Sequence, residues 1–570
     1  MYTAGAALIE ALHEAGVSFI FANLGSDHPA IVESLAEANA TGRPAPRLIT
    51  CPNEMVALSA AHGFAQVTGR AQAVLVHVEC GTQALAGALH NAAKGRVPAL
   101  IFAGASPFTQ EGEMRGSRNE FIQWIQDVFD QRGLARGYVK YDNEIRTGRN
   151  IKQIVYRALQ FAHSDPKGPV YLMAAREVLE EEVPPIEAHP ENWPPIAPCA
   201  LASSDVEAIV NDLLKSRSPL VVTSYLGRNP EAVRQVERMC ERLAIGVLES
   251  VPCCVNFPAD STLYQGNQWN EPKQNPALDE ADLVLVIDSD VPWIPTVNKP
   301  RRDAAIYQID VDPLKEQMPL WQIPARRIFR ADAGVALRQI NERLDAVEID
   351  IEAVEERRAH YASLSNARRQ KLLLAERLEG DVITPEYLTA GVRHHIDQDT
   401  IVLNEGITNF GTIIDHFGAI RPGQMFTSGG GSLGWNGGAA IGVKLACPDK
   451  TAVCLTGDGS YMFSVPSSVH WIARRYQTPF LQVIYNNRGW KAPKLSTLAI
   501  HPDGYASRNE DIGVSFDPPP DYSGIAAAAG GAYARIVRRP EDLNSALAEA
   551  LNAVRRERRC AVLDVWLAHL

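Results

Sequence analysis

The chain has 570 residues, enough for three or four domains at roughly 150 residues each. With 46% hydrophobic and 21% charged residues, the composition excludes a disordered or fibrous bulk. Fifty-five Lys plus Arg against 67 Asp plus Glu leave a net charge of -12, which argues against a broad nucleic-acid-binding field and points to a small molecule or another subunit as partner.

The opening segment, MYTAGAALIEALHEAG, has no basic n-region and reads as an amphipathic helix, so a cytoplasmic location is the default. No apolar run is long enough to span a bilayer, and no membrane association is expected. VSFIFANL, AQAVLVHVE, VPALIFAG and KGPVYLMAA follow as buried strands separated by helical stretches, the rhythm of parallel βαβ units. This first block spans residues 1–183, and a proline-rich linker covers 184–203. A second block, 204–345, offers the strands SPLVVTSY, IGVLES, DLVLVIDSD and AAIYQIDVD. A charged helical connector occupies 346–381. The last block, 382–570, carries DTIVLNEG, QMFTSGG, TAVCLTGDG, PFLQVIYNN and CAVLDVWLA. The expected fold is α/β, three doubly wound parallel-sheet domains whose strand order the pattern leaves open. Nine cysteines without a CxxC pair, Cys253 and Cys254 being adjacent, read as buried small hydrophobes.

The strongest chemical signal is the apolar strand 451–456 running into Gly457-Asp458-Gly459-Ser460. Ligands of open α/β sheets sit beyond such strand ends, and glycines let an anion approach the backbone and the following helix start. A second apolar strand ends in Asn486-Asn487-Arg488-Gly489 after an interval that fits one helix and one strand. A carboxylate, an amide oxygen and a nearby carbonyl make a hard oxygen half-shell of the kind Mg²⁺ takes.

GDGS followed at this interval by NNRGW resembles the thiamine diphosphate signature. The whole chain is similar to the group of acetolactate synthase, pyruvate decarboxylase, benzaldehyde lyase and 2-hydroxyacyl-CoA lyase. The resemblance implies a pyrimidine-binding first domain, a central domain and a diphosphate-binding last domain, with thiamine diphosphate and Mg²⁺ as cofactors. It implies Asp458, Asn487 and the Gly489 carbonyl as metal ligands, with Gly457, Gly459 and Ser460 beside the diphosphate. Gly431 and Leu433 match the loop whose carbonyl meets the aminopyrimidine and whose apolar side chain props the cofactor. Thr408 and Asn409, in NEGITN, match a further diphosphate-side loop.

In residues 51–70 a lone carboxylate, Glu54, stands in the first turn of an alanine-rich helix, where a helix dipole alone would favour it. The same segment resembles the family's setting for its activating glutamate, through Gly63-Phe64-Ala65 and Thr68-Gly69. That likeness implies that Glu54 promotes the imino tautomer of the cofactor's pyrimidine.

Leu24-Gly25-Ser26-Asp27-His28-Pro29 follows the first strand and offers a hydroxyl, a carboxylate and an imidazole. His28 is the preferred proton shuttle; Ser26 and Asp27 are either catalytic or caps of the next helix. Gln126, in FIQWIQDVFDQ, is similar to a glutamine that reaches the reacting centre, with Gln123 as the alternative register. Trp490, Lys491 and Lys494 either line the entrance or are a packed tryptophan with solvated lysines. His394 and His395 are read as structural or solvated.

Together these features imply a thiamine diphosphate-dependent lyase or carboligase of 2-oxo acids or 2-hydroxy ketones, acetolactate synthase-like in the first instance. The alternatives are a 2-hydroxyacyl-CoA lyase or oxalyl-CoA decarboxylase, a flavin-linked 2-oxo acid oxidase, which the lone Gly227 after the first central strand disfavours, and a non-catalytic subunit. The family pattern further implies a homodimer or homotetramer with active sites between subunits.

Overall fold

The structure, a computed structural model, describes residues 2–270, 273–321, 323–378, 380–509 and 511–569. Three six-stranded parallel sheets follow one another along the chain. The first contains β1 (Phe19–Ala22), β2 (Arg47–Thr50), β3 (Ala73–Val76), β4 (Ala99–Ala105), β5 (Asp142–Ile145) and β6 (Pro169–Ala175), in the order β2-β1-β3-β4-β6-β5. The second contains β7 (Pro219–Thr223), β8 (Gly246–Ser250), β9 (Tyr264–Gln268), β10 (Leu283–Ile287), β11 (Ala305–Asp310) and β12 (Arg327–Arg330), in the order β12-β11-β10-β7-β8-β9. The third contains β13 (Thr400–Glu405), β14 (Met425–Phe426), β15 (Thr451–Gly457), β16 (Leu481–Asn486), β17 (Tyr533–Val537) and β18 (Ala561–Trp566), in the order β14-β13-β15-β16-β18-β17. The first and third sheets therefore share one topology.

Two equivalent helices, Glu54–Thr68 and Asn436–Ala446, join the outer domains. Asn53 caps the first of them by accepting a hydrogen bond from Val56 N at 3.1 Å, and Gly69 ends it with φ +71°. Small residues line the contact: a Cβ on Gly438 would lie 2.6 Å from Ser59 Cβ, and one on Gly63 would lie 2.2 Å from the Ala439 carbonyl oxygen. Close approach of two helix backbones is thus written into alanine and glycine. Trp435, fully buried at the start of the second helix, fills the core between them.

The stretch 184–202 is extended apart from one short turn and largely exposed, as its prolines dictate, and Ser203 already opens the helix Ser203–Lys215. The helix Ile351–Ala375 is more than a solvated connector, because Tyr361 O–H donates to the Pro219 carbonyl at 2.6 Å and Arg357 to that of Ser216 at 2.7 Å beneath the central sheet. Among the described residues, no helix is long and apolar enough to cross a membrane.

Candidate cofactor and proton-transfer site

In the third sheet the strand order reverses between the parallel neighbours β13 and β15, the position at which open α/β sheets take ligands. Register sets Glu405 opposite Thr456 and Gly457 opposite Tyr485, so the loops after β13, β15 and β16 emerge level with one another. Asp458 begins the helix Asp458–Phe463 and is buried. Its carboxylate accepts from Gly459 N at 2.8 Å and from Gly489 N at 3.0 Å, while burial pushes its pKa up to about 6. Asn487 is also buried, and its Oδ1 has no hydrogen-bond partner. The Gly489 carbonyl accepts one hydrogen bond, from Lys491 N at 3.2 Å.

A buried amide oxygen without a donor is costly unless something electropositive meets it. The donor set of carboxylate, amide oxygen and carbonyl fits Mg²⁺ with a diphosphate, and Asn487 Oδ1 is the atom that would otherwise be unsatisfied. Gly459 lies under Trp490, where a Cβ would meet the indole at 2.3 Å. Trp490 therefore packs over the GDG turn, its ring edge-on to Phe516 at 5.0 Å, instead of standing free at an entrance. Thr408 and Asn409 sit half-buried in the turn Ile407–Asn409, shaped by Asn404, whose Oδ1 accepts from Gly406 N at 3.0 Å.

The loop with Gly431 and Leu433 is held from both sides. Glu405, a residue the motif reading passed over, accepts from the backbone N–H groups of Gly434, Trp435 and Asn436 at 2.6, 3.0 and 2.9 Å. Burial raises the Glu405 carboxyl to about 7 against the pull of those three donors. From the first domain, His90 Nε2 accepts from Gly431 N at 3.0 Å, and Asn91 bonds both the N–H and the carbonyl of Ser432.

A second cluster gathers at the C-terminal ends of β1 and β3. Glu54 is half-buried and accepts from Asn23 Nδ2 at 2.8 Å. Asp27 is buried; its Oδ1 lies 2.5 Å from His77 Nδ1, and its Oδ2 accepts from Val78 N at 3.1 Å. Those bonds answer the question left by the loop sequence: the helix Pro29–Thr41 has no side-chain cap, and Asp27 is committed to His77 instead. Burial opposes ionisation of Asp27, yet the His77 hydrogen bond and the two nearby imidazoles hold it below the ordinary aspartate range. His77 in turn is raised, first by its bond to Asp27.

His28 has a different environment. It is fully buried, Gly25 N donates to its Nδ1 at 3.1 Å, and desolvation lowers its pKa. Its Nε2 is buried without a partner, whereas His77 is partly exposed and its pKa is raised. Ser26 Oγ is buried without a partner. Of the two glutamines, Gln126 reaches His77, its Oε1 lying 3.0 Å from His77 Nε2, whereas Gln123 Oε1 accepts from Asn119 N at 2.9 Å within its own turn. His77 was missed by the motif reading although it is the first polar residue after β3, the same strand-end position that singled out Asp458. His395 bonds the Gly391 carbonyl within its helix, and His394 is exposed.

Comparison with known proteins agrees with this layout. The family models described as the thiamine pyrophosphate enzyme N-terminal TPP binding domain, central domain and C-terminal TPP binding domain match residues 2–134, 206–321 and 406–565. The chain is 23% identical to the acetolactate synthase large subunit of Haemophilus influenzae, over 96% of this chain and 91% of that protein. It is 25% identical to benzoylformate decarboxylase of Pseudomonas aeruginosa, over 85% and 86%. In fold it resembles the thiamine diphosphate-dependent 4-hydroxybenzoylformate decarboxylase of Rhodococcus jostii RHA1, with a TM-score of 0.78 at 20% identity over the full length of both chains. With all three domain models matched in order along a chain of three parallel sheets, the protein belongs to the thiamine pyrophosphate enzyme family.

Proposed function

We propose that the protein is a thiamine diphosphate- and Mg²⁺-dependent lyase that cleaves the bond next to the carbonyl of a 2-oxo acid and returns a proton to the product. The observation that carries this reading is the Asp27–His77–Gln126 relay. His77 Nδ1 lies 2.5 Å from Asp27 Oδ1 and Nε2 lies 3.0 Å from the Gln126 side-chain amide, and the Asp27 bond raises the imidazole above its ordinary pKa. Asp27 thus favours the protonated form of His77 and balances its charge, which suits the ring to donate a proton.

Bound thiamine diphosphate would supply the electron sink for C–C cleavage. Asp458, Asn487 and the Gly489 carbonyl would hold the metal, and Ser460 with the helix start would receive the diphosphate. Glu54, steadied by Asn23, would sustain a hydrogen bond to the pyrimidine ring. His77 would hand its proton to the departing product and recover it from solvent, to which it is partly open.

A second reading, acetolactate synthase-like ligation of two 2-oxo acids, is favoured by the similarity to that synthase over 96% of the chain. Assembly through pairs of subunits belongs to the proposal: Phe121, Ile125 and Phe129, beside Gln126, are 75%, 71% and 114% exposed, an apolar row suited to a second copy.

The test is incubation of the Mg²⁺–thiamine diphosphate enzyme with pyruvate and with benzoylformate in D₂O, read by NMR. Release of a C1-deuterated aldehyde supports the lyase, and accumulation of an acyloin acid supports ligation. Turnover of neither 2-oxo acid, with acyl-CoA cleaved instead, would overturn both readings.

A further inference from the structure

In the central sheet the strand order reverses between the parallel neighbours β7 and β10, so the crevice beyond those strand ends is where this domain would take a ligand. Three carboxylates stand there, Asp288, Asp290 and Asp310, facing Arg228 and Lys315. The third cation comes from the first domain. Arg96 donates through Nη1 to Asp310 Oδ1 at 3.0 Å and through Nη2 to Asp290 Oδ1 at 2.7 Å, and its guanidinium lies 4.8 Å from the centre of the Tyr225 ring. Arg228 also reaches a fourth carboxylate, Asp165, at 3.5 Å, and Arg96 is 7% exposed.

The backbone of Arg96 has φ +54°, just past the end of the helix Ala86–Lys94. A helix that ends in the left-handed region usually does so on glycine, because a side chain is strained there. An arginine at this position is held by what its side chain reaches. The neighbouring residues lie against the cofactor loop: a Cβ on Gly429 would be 2.4 Å from Gly95 Cα, and one on Gly95 would be 2.6 Å from the Ser428 carbonyl oxygen. Tyr225 O–H donates to the Lys94 carbonyl at 3.2 Å. One turn earlier, His90 and Asn91 bond Gly431 and Ser432.

We infer that Arg96 acts as a built-in ligand of the central domain's crevice and thereby as a positioning residue for the loop 428–434. Its guanidinium fastens the end of the helix Ala86–Lys94 to the central domain, and that helix end in turn fixes the loop bearing Gly431 and Leu433. The central domain works here as the clamp that holds the cofactor loop against the first domain. The inference rests on the family's thiamine diphosphate site, not on the choice of substrate.

The experiment uses full-length Arg96→Ala and, as a control of general destabilisation, Leu213→Ala in the central core. Thiamine diphosphate affinity in Mg²⁺ is followed by tryptophan fluorescence, and hydrogen exchange is followed across residues 428–436. Arg96→Ala is expected to bind the cofactor roughly tenfold more weakly, with faster exchange in that segment. Ethylguanidinium should restore both properties in Arg96→Ala and change neither in wild type. Leu213→Ala is expected to lower thermal stability while leaving cofactor affinity and the segment's exchange unchanged. Failure of the wild type to bind thiamine diphosphate would sink the cofactor reading itself. Wild-type affinity in Arg96→Ala, an equal loss in Leu213→Ala, or no response to ethylguanidinium would overturn the role of Arg96.

Discussion

Gln126 Oε1 and His77 Nε2 meet at 3.0 Å, joining a short helix after β4 to the strand end of β3. The contact completes a line from Asp27 through the imidazole to an amide whose own Nε2 is buried and unpartnered. If His77 carries the proton, His77→Phe should lower kcat by about two to four orders of magnitude while thiamine diphosphate affinity stays near wild type. Steady-state kinetics and a fluorescence titration check the two halves separately, and a parallel loss of affinity would assign His77 to binding.

The same line sets a pH dependence. His77 is raised, first by the Asp27 bond, so its proton is held at pH values where a free imidazole has lost it. An activity that needs the imidazolium should be full below the ordinary histidine range and decline as pH rises through the raised value. Asp27→Asn removes the charge that supports the proton, and the alkaline limb of kcat should move to lower pH. An unmoved limb would remove His77 from the rate-limiting proton transfer.

The strands visible in the sequence are the buried ones, and the reason lies in where they sit. β3, β4, β7, β10, β15 and β16 are interior strands read as predominantly apolar, buried runs, because both faces are covered. β2, β5, β9, β12 and β17, which the pattern did not single out, all lie at sheet edges. β12 (RIFR) is mostly exposed, and β9 (YQGNQ) is buried but polar, so neither carries an apolar run. The third domain's site was legible because Asp458 and Asn487 follow such interior strands at a fixed interval. His77, Asn23 and Glu405 were not, since each acts through a partner distant in sequence, and only the sheet order brings Asp27 to His77 or Glu405 to Gly434.

Glu54 accepts from Asn23 Nδ2, which fixes one carboxylate oxygen and leaves the other for a ligand. Glu54→Gln keeps the shape and loses the ability to exchange a proton. We expect thiamine diphosphate affinity within a few-fold of wild type and activity reduced by about two orders of magnitude or more, since a group acting in the chemical step alters rate more than binding. Cofactor titration together with single-turnover rates provides the check.

Asn487 has a buried Oδ1 with no donor, and Asp458 uses its carboxylate to hold Gly459 and Gly489 in place. The two substitutions should therefore differ. Asn487→Ala removes an unmatched acceptor, so the apoprotein should gain or keep stability while Mg²⁺-dependent cofactor binding weakens. Asp458→Ala frees two buried N–H groups as well as removing the charge, costing about 1–3 kcal/mol of apoprotein stability and abolishing metal-dependent binding. Urea denaturation of apoprotein, with cofactor titration in Mg²⁺ and in EDTA, separates the two patterns.

The last expectation concerns the helix pair that joins the outer domains. A Cβ on Gly442 would lie 1.9 Å from the Ala60 carbonyl oxygen and 2.7 Å from Phe64 N, both backbone atoms inside a regular helix that cannot turn aside. Gly442→Ala must then push the two helices apart, even though alanine favours a helix by itself. Overpacking of this kind costs about 1–3 kcal/mol, more than the roughly 1 kcal/mol gained from propensity. The displacement would be passed to both active clusters, since Glu54 begins one helix and the Glu405-bound turn at Gly434 precedes the other. A lower urea midpoint with weaker thiamine diphosphate binding is the expected result, and a stabilised Gly442→Ala would show that the helices do not pack at this distance.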